Sequence, residues 1–107
     1  MADTQLFIYK IQAVRHEMVN HGRTADEDRI VGEHFDYLQG LTARGVVHLA
    51  GRTLSDDYGG FGIIIFSASS EEEARRIVRD DPAVANRIMR AELYQFRASL
   101  VGQMPAD

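Results

Sequence analysis

Histidine is the one side chain whose ordinary ionisation lies near neutral pH, which suits it to moving protons. This chain of 107 residues carries four, His16, His21, His34 and His48. His34 has the most informative surroundings. If residues 26–44 form a helix, each residue turns about 100°. With His34 at zero, Ile30 then falls at about −40°, Leu38 at about +40°, Leu41 at about −20° and Val31 at about +60°, all on one apolar stripe. The imidazole lies on the axis of that stripe, and Glu33, Asp36 and Gln39 point away from it. A titratable ring on a dry face needs a hydrogen-bonding partner or it costs stability.

The remaining candidates are weaker. Arg52 follows a strand-like run and precedes a glycine-rich loop. Its guanidinium could hold a substrate carboxylate or phenolate, or it could end a strand in solvent. His48 shares strand parity with Ala50 and Arg52 and could face the same cavity, although a packed or interface role suits it better. His16-Glu17 and His21 do not form a zinc-protease motif. That motif needs histidines four apart on one helix face, and these are five apart, about 140° around a helix. No metal site is expected. Gly59, Gly60 and Gly62 precede a strand, not the helix that a phosphate-binding loop requires. Glu71, Glu72 and Glu73 suit a helix start and its dipole.

The elements that would position these groups can be followed along the chain. Residues 6–11 are rich in β-branched and aromatic types and read as a first strand. Residues 15–23 suggest one loose helical turn. Thr24 or Asp26 can cap the helix that carries His34, and Gly45 can end it. Residues 46–51 and 61–66 read as the second and third strands, with a loop over 54–60 between them. Ser69 with Glu72, or Ser70 with Glu73, makes a capping box for a second helix whose apolar face is Ala74, Ile77 and Val78. Asp81-Pro82 must interrupt that helix. Asp81 is the natural N-cap of a short helix over 82–89, and residues 92–100 read as a fourth strand.

The order β-α-β-β-α-β defines an α+β, ferredoxin-like fold, a four-stranded antiparallel sheet with helices on one side. Phe7, Ile8 and Tyr9, then Val46 and Val47, then residues 63–66 put apolar groups on both sheet faces. Helices on one side can hide only one face. A homodimer with two sheets packed together, a dimeric α+β barrel, is therefore expected.

Bulk properties narrow the class. The length fits a single domain over 1–107. Apolar residues at 45 % rule out a disordered chain. A net charge of −4 without a basic run argues against nucleic acid. The absence of cysteine excludes disulfides, thiolate catalysis and cysteine-based metal sites. The opening five residues lack a basic n-region and an apolar core, so no signal peptide is expected. The longest apolar run is too short for a bilayer. A cytoplasmic protein without membrane contact is the expectation.

His34-Phe35-x-Tyr37-Leu38-x-x-Leu41, Gly45-Val46-Val47, Ala50-Gly51-Arg52-Thr53, Phe61-Gly62-Ile63, Glu71-Glu72-Glu73-Ala74 and Asp81-Pro82-Ala83-Val84 together resemble the YciI-like (YCII-related) family. The likeness runs from about Leu6 to Leu100. It implies the dimeric barrel and a catalytic dyad of His34 with Asp81. One known family activity is dehydrochlorination of a chlorinated hydroxyhydroquinone, an elimination needing no cofactor. This chain has Gly51-Arg52 where many members carry Gly-Pro. In such a dyad a carboxylate fixes the imidazole tautomer and raises the basicity of the other nitrogen. The residues alone leave a second reading open, with Asp81 a routine N-cap and His34 a satisfied core residue. The function expected is a small cofactor-independent lyase or isomerase acting on a cyclic or aromatic compound. His34 and Asp81 would be catalytic and Arg52 substrate-binding. The alternative is a non-catalytic small-molecule-binding or dimerisation module. A haem- or quinol-handling oxygenase on the same barrel lacks any specific sign of haem.

Overall fold

A computed structural model describes residues 4–20, 22–55 and 59–106. His21 and part of the 54–60 loop, including Asp56 and Asp57, lie outside them. The elements run β1 (Gln5–Ala13), α1 (Glu17–Asn20), α2 (Ala25–Ala43), β2 (Val47–Arg52), β3 (Gly62–Ala68), α3 (Glu71–Asp80), α4 (Pro82–Ala85) and β4 (Met89–Phe96). The strands make one antiparallel sheet in the order β2-β3-β1-β4. This is an α+β fold of the ferredoxin-like kind.

Local chemistry sets the helix ends. Thr24, not Asp26, caps α2: its side chain accepts from the Glu27 N–H, and Glu27 reaches back to the Thr24 N–H. At the other end Gly45 takes a φ of 77°. Its N–H donates to Thr42 and that of Val46 to Leu41, a Schellman closure in which glycine avoids the Cβ clash. Ser70 caps α3 through the Glu73 N–H, while Glu73 accepts from Ser69. Asp81 ends α3 and caps α4.

The largest departures from the expected boundaries follow Pro82. The helix after Pro82 stops at Ala85 instead of reaching Met89, because Arg87 adopts a φ of 61°. The N–H groups of Arg87 and Ile88 then close the turn onto Val84 and Ala83. The fourth strand accordingly starts at Met89 opposite Ala13 and ends at Phe96 opposite Leu6. Residues 97–100 fall outside it.

The core lies between the helices and one sheet face. Phe7, Tyr9 and Ile11 of β1 and Ile64, Phe66 and Ala68 of β3 are buried there with Leu38, Leu41 and Ala74. Phe66 is the hub, stacked on Phe7 at 5.9 Å and meeting the edge of Tyr9 at 5.7 Å between ring centroids. On the opposite face Leu6, Ile8, Ile63 and Ile65 are half-buried, and Leu49 and Tyr94 are exposed.

A bulge in β2 corrects one expectation. Val47 pairs with Phe66 but Leu49 pairs with Ile65, so His48 is an extra residue. Ala50 and Arg52 register with Ile64 and Gly62 on the helix-facing side. The His48 ring bonds to Ser67, on the other face, while the residue still borders the groove, described below, that Arg52 lines. Simple alternation does not hold across the bulge.

Candidate active site

Helix α2 buries Glu27, Ile30, His34, Leu38 and Leu41 along one side. The stripe that helical geometry assigns to the sequence is therefore the face that packs. Glu33 and Asp36 are exposed, whereas Gln39 borders the groove described below.

Asp81 is fully buried at the α3–α4 junction. The His34 Nδ1 lies 2.7 Å from Asp81 Oδ1 and 2.9 Å from Oδ2. The Ala83 N–H donates to Oδ1 at 3.0 Å, and the Tyr9 hydroxyl donates to Oδ2 at 2.7 Å. The carboxylate thus gathers backbone, phenol and imidazole donors from three different elements. Capping α4 and binding His34 are two tasks of one side chain, so the structural and the chemical readings of Asp81 are compatible.

Tyr9 was not legible as a member of this cluster, since in β1 it reads as one more aromatic strand residue. The usable signal was parity: Tyr9 shares a face with Phe7 and Ile11, and a buried phenol needs a partner. Burial, then the charge of Asp81 and its hydrogen bond, push the Tyr9 phenol far above its ordinary value of 10. Burial also raises Tyr37, to about 12, and its hydroxyl donates to the Ile77 carbonyl. Above pH 10 the unfolded chain sheds protons that the native state keeps, so stability must fall as pH rises. For Tyr9 alone the expected slope is about 1.4 kcal/mol per pH unit. Denaturant titrations between pH 9 and pH 11 should show this limb, and Tyr9→Phe should flatten it.

His34 lines an open groove of about 1080 Å³ between α2 and the β2 side of the sheet. Ile11, Leu38, Ile64 and Met89 give it apolar walls, and Arg52 and Arg23 also line it. With Nδ1 committed to Asp81, the hydrogen bonds of His34 among the described residues leave Nε2 unused. A neutral imidazole that donates from Nδ1 carries its lone pair on Nε2, ready to accept a proton. Among the described residues no three His, Asp or Glu side chains cluster as metal ligands would.

A second, partly buried pair supports the groove. Arg15 binds Glu27 through Nε at 2.8 Å and through Nη2, and also donates to the Gly22 carbonyl. The sequence offered Glu27 only as a favourable charge at a helix start; its partner, twelve residues earlier, carried no signal. The clamp ties the segment bearing Met18 and Arg23, both on the groove wall, to α2. Hydrogen bonds from Arg15 and the Thr24 backbone pull Glu27 from an ordinary 4.5 to about 2. A depressed carboxyl contributes stability above its unfolded value and loses it as pH falls through the folded one. Glu27→Gln should therefore flatten the pH dependence of stability between about pH 5 and pH 2, measured by urea unfolding monitored by circular dichroism.

Fold and site together define a small α+β domain with a buried histidine–carboxylate pair at the wall of an open groove. The chain belongs to the YCII-related domain family, whose model matches residues 6–97. No curated protein matches it. Two of the solved structures that it resembles show the shared fold. One is 5-chloro-2-hydroxyhydroquinone dehydrochlorinase (TftG) from Burkholderia phenoliruptrix AC1100, in complex with 2,5-dihydroxybenzoquinone. It is 19 % identical, with a TM-score of 0.58 over 86 % of this chain and 93 % of that one. The other is the protein TM1266 from Thermotoga maritima, 7 % identical, with a TM-score of 0.55 over 89 % of this chain and all of its own. Among the described residues no helix is long and apolar enough to cross a membrane.

Proposed function

We propose that this chain is a cytoplasmic, single-domain enzyme that moves a proton on a small cyclic or aromatic compound without a cofactor. His34 is the general acid/base, Asp81 its orienter and Arg52 a holder of the substrate's negative oxygen. The carrying observation is the fixing of His34 Nδ1 by a fully buried carboxylate while the residue lines an open groove. In the forward step the Nε2 lone pair takes a proton from substrate carbon or oxygen. The resulting imidazolium is stabilised by Asp81. The released electron pair either shifts along the substrate, with the proton returned at another atom, or expels a leaving group. These are isomerase and lyase outcomes of one device. The shared fold of a dehydrochlorinase, which carries out such an elimination on a hydroxylated ring, supports the reading as analogy.

The protein acts as a homodimer in this proposal, two sheets packing through the faces that carry Leu6, Ile8, Ile63 and Ile65. Sedimentation of the purified chain tests that part. For the chemistry, a panel of chlorinated and unsubstituted hydroquinones and cyclic ketones is incubated in D2O. Loss of chloride, isomerisation or deuterium uptake is then followed. Turnover or exchange of one member is the expected result, and binding without either would sink the catalytic reading. The full acceptor load on Asp81 favours a second reading, a ligand-holding module in which the pair is purely structural.

A further inference from the structure

The charge on the groove wall is lopsided. Aspartate and glutamate make up 16 of the 107 residues, against 12 lysines and arginines. Yet among the described residues lining the groove there is no carboxylate, and the only fixed charges are Arg23 and Arg52. Asp81 lies behind His34, not on the wall. We infer that the groove selects an anionic ring compound, with Arg23 acting beside Arg52 as a second residue that determines charge specificity.

Arg52 is poised for this. The strand end that bears it is held by the Thr53 N–H donating to the Phe61 carbonyl at 2.8 Å, and by the Phe61 N–H donating to Thr53 Oγ1 at 3.0 Å. Its guanidinium makes only a long contact of 3.5 Å with the Thr53 carbonyl and no ion pair among the described residues. Among the described residues its five donors are thus almost entirely unspent. Arg23 is paired with Asp28 at 2.8 Å through Nη2 alone. Both members of that pair are well exposed, so the bond is screened and exchangeable. The groove that these cations share with His34 is mainly apolar, with Ile11, Leu38, Ile64, Phe61 and Met89 on its wall beside polar Gln12, Thr42 and Ser55. A mainly apolar surface shared by cationic groups and a proton-transfer group fits a flat ring with a carboxylate or phenolate on it. A wholly apolar ring would gain nothing from the two arginines.

The inference rests on the acid–base reading of the same groove, but its test needs no turnover. Binding of 4-hydroxybenzoate and of 4-hydroxybenzamide, matched in shape and differing in charge, is followed by NMR on the full chain, with the His34 ring signals as reporter. The carboxylate should bind at least about tenfold more tightly than the amide. Arg52→Gln and Arg23→Gln should each reduce that preference, and the double variant should bring it below about threefold. Both arginines are exposed, so circular dichroism should show the fold intact. Equal affinities, undiminished preference in the double variant, or no binding of either compound at millimolar concentration would each overturn the inference. A strong charge preference in a protein that turns nothing over would sink the enzymatic reading and leave this one standing. Turnover without the preference would do the reverse.

Discussion

Asp81→Ala is expected to cost about 3–7 kcal/mol of folding stability, a large share of what a small domain has to lose. The sum is physical. Loss of the α4 N-cap costs about 1 kcal/mol. The Tyr9 hydroxyl and the His34 Nδ1–H are then stranded, and an unpaired buried donor costs about 1–3 kcal/mol. Alanine supplies no acceptor for either. Asp81→Asn separates structure from chemistry. Its amide oxygen can still accept from the Ala83 N–H, and the Tyr9 hydroxyl can turn to accept from the new amide NH2, so the loss should stay below about 2 kcal/mol. The orienting charge, however, is gone. The oxygen kept at the Oδ1 place is the nearer one to His34 Nδ1, at 2.7 Å, and can go on accepting from it, so the Nδ1–H tautomer should persist. Nitrogen NMR of the His34 ring should therefore report the same tautomer in Asp81→Asn, while turnover falls because the charge that stabilises the imidazolium is lost. Chemical denaturation of wild type and both variants tests the energies. Equal stability of Asp81→Ala and wild type would mean that the three-donor cluster carries little weight.

The same cluster shows what could be read ahead of the structure. Helical spacing alone placed His34 among Ile30, Leu38 and Leu41, because a 19-residue helix with one packed face has little freedom to rotate. Proline restricts its predecessor, so Asp81 was marked as a helix breaker and cap by local rules. Their meeting across 47 positions was not a local matter, and it came from family resemblance, not from physics. The third member, Tyr9, sits 72 positions from Asp81 and depends on the β1–β4 and β1–β3 registers that bring it under α4. Short-range patterns hold no such information. The bulge at His48 escaped for a related reason: an inserted residue looks like any other in a short strand, and only the pairing of Val47 with Phe66 and of Leu49 with Ile65 exposes it. The end of the helix after Pro82 turned on Arg87 in a left-handed conformation that sequence would assign to glycine or asparagine.

His34→Asn should then lower turnover of any substrate the groove accepts by about 10²–10⁴-fold, the usual worth of a positioned general acid or base. Asparagine is the informative replacement because its side-chain NH2 reaches roughly the place of Nδ1. It can keep a donor on Asp81 while removing the nitrogen that would meet the substrate. Packing of α2 against the sheet rests mainly on Ile30, Leu38 and Leu41, so stability should fall by less than about 2 kcal/mol. Two readouts separate a chemical role from a scaffolding one. Substrate affinity should change little, since the lost group acts on a proton and not on the ground-state complex. Added imidazole should recover part of the rate, because the shortened side chain leaves a vacancy at the wall of a groove already open to solvent. A purely structural histidine would lose stability in step with activity and gain nothing from imidazole. That outcome would assign His34 and Asp81 to the architecture, and leave the groove as a place where ligands are held and not transformed.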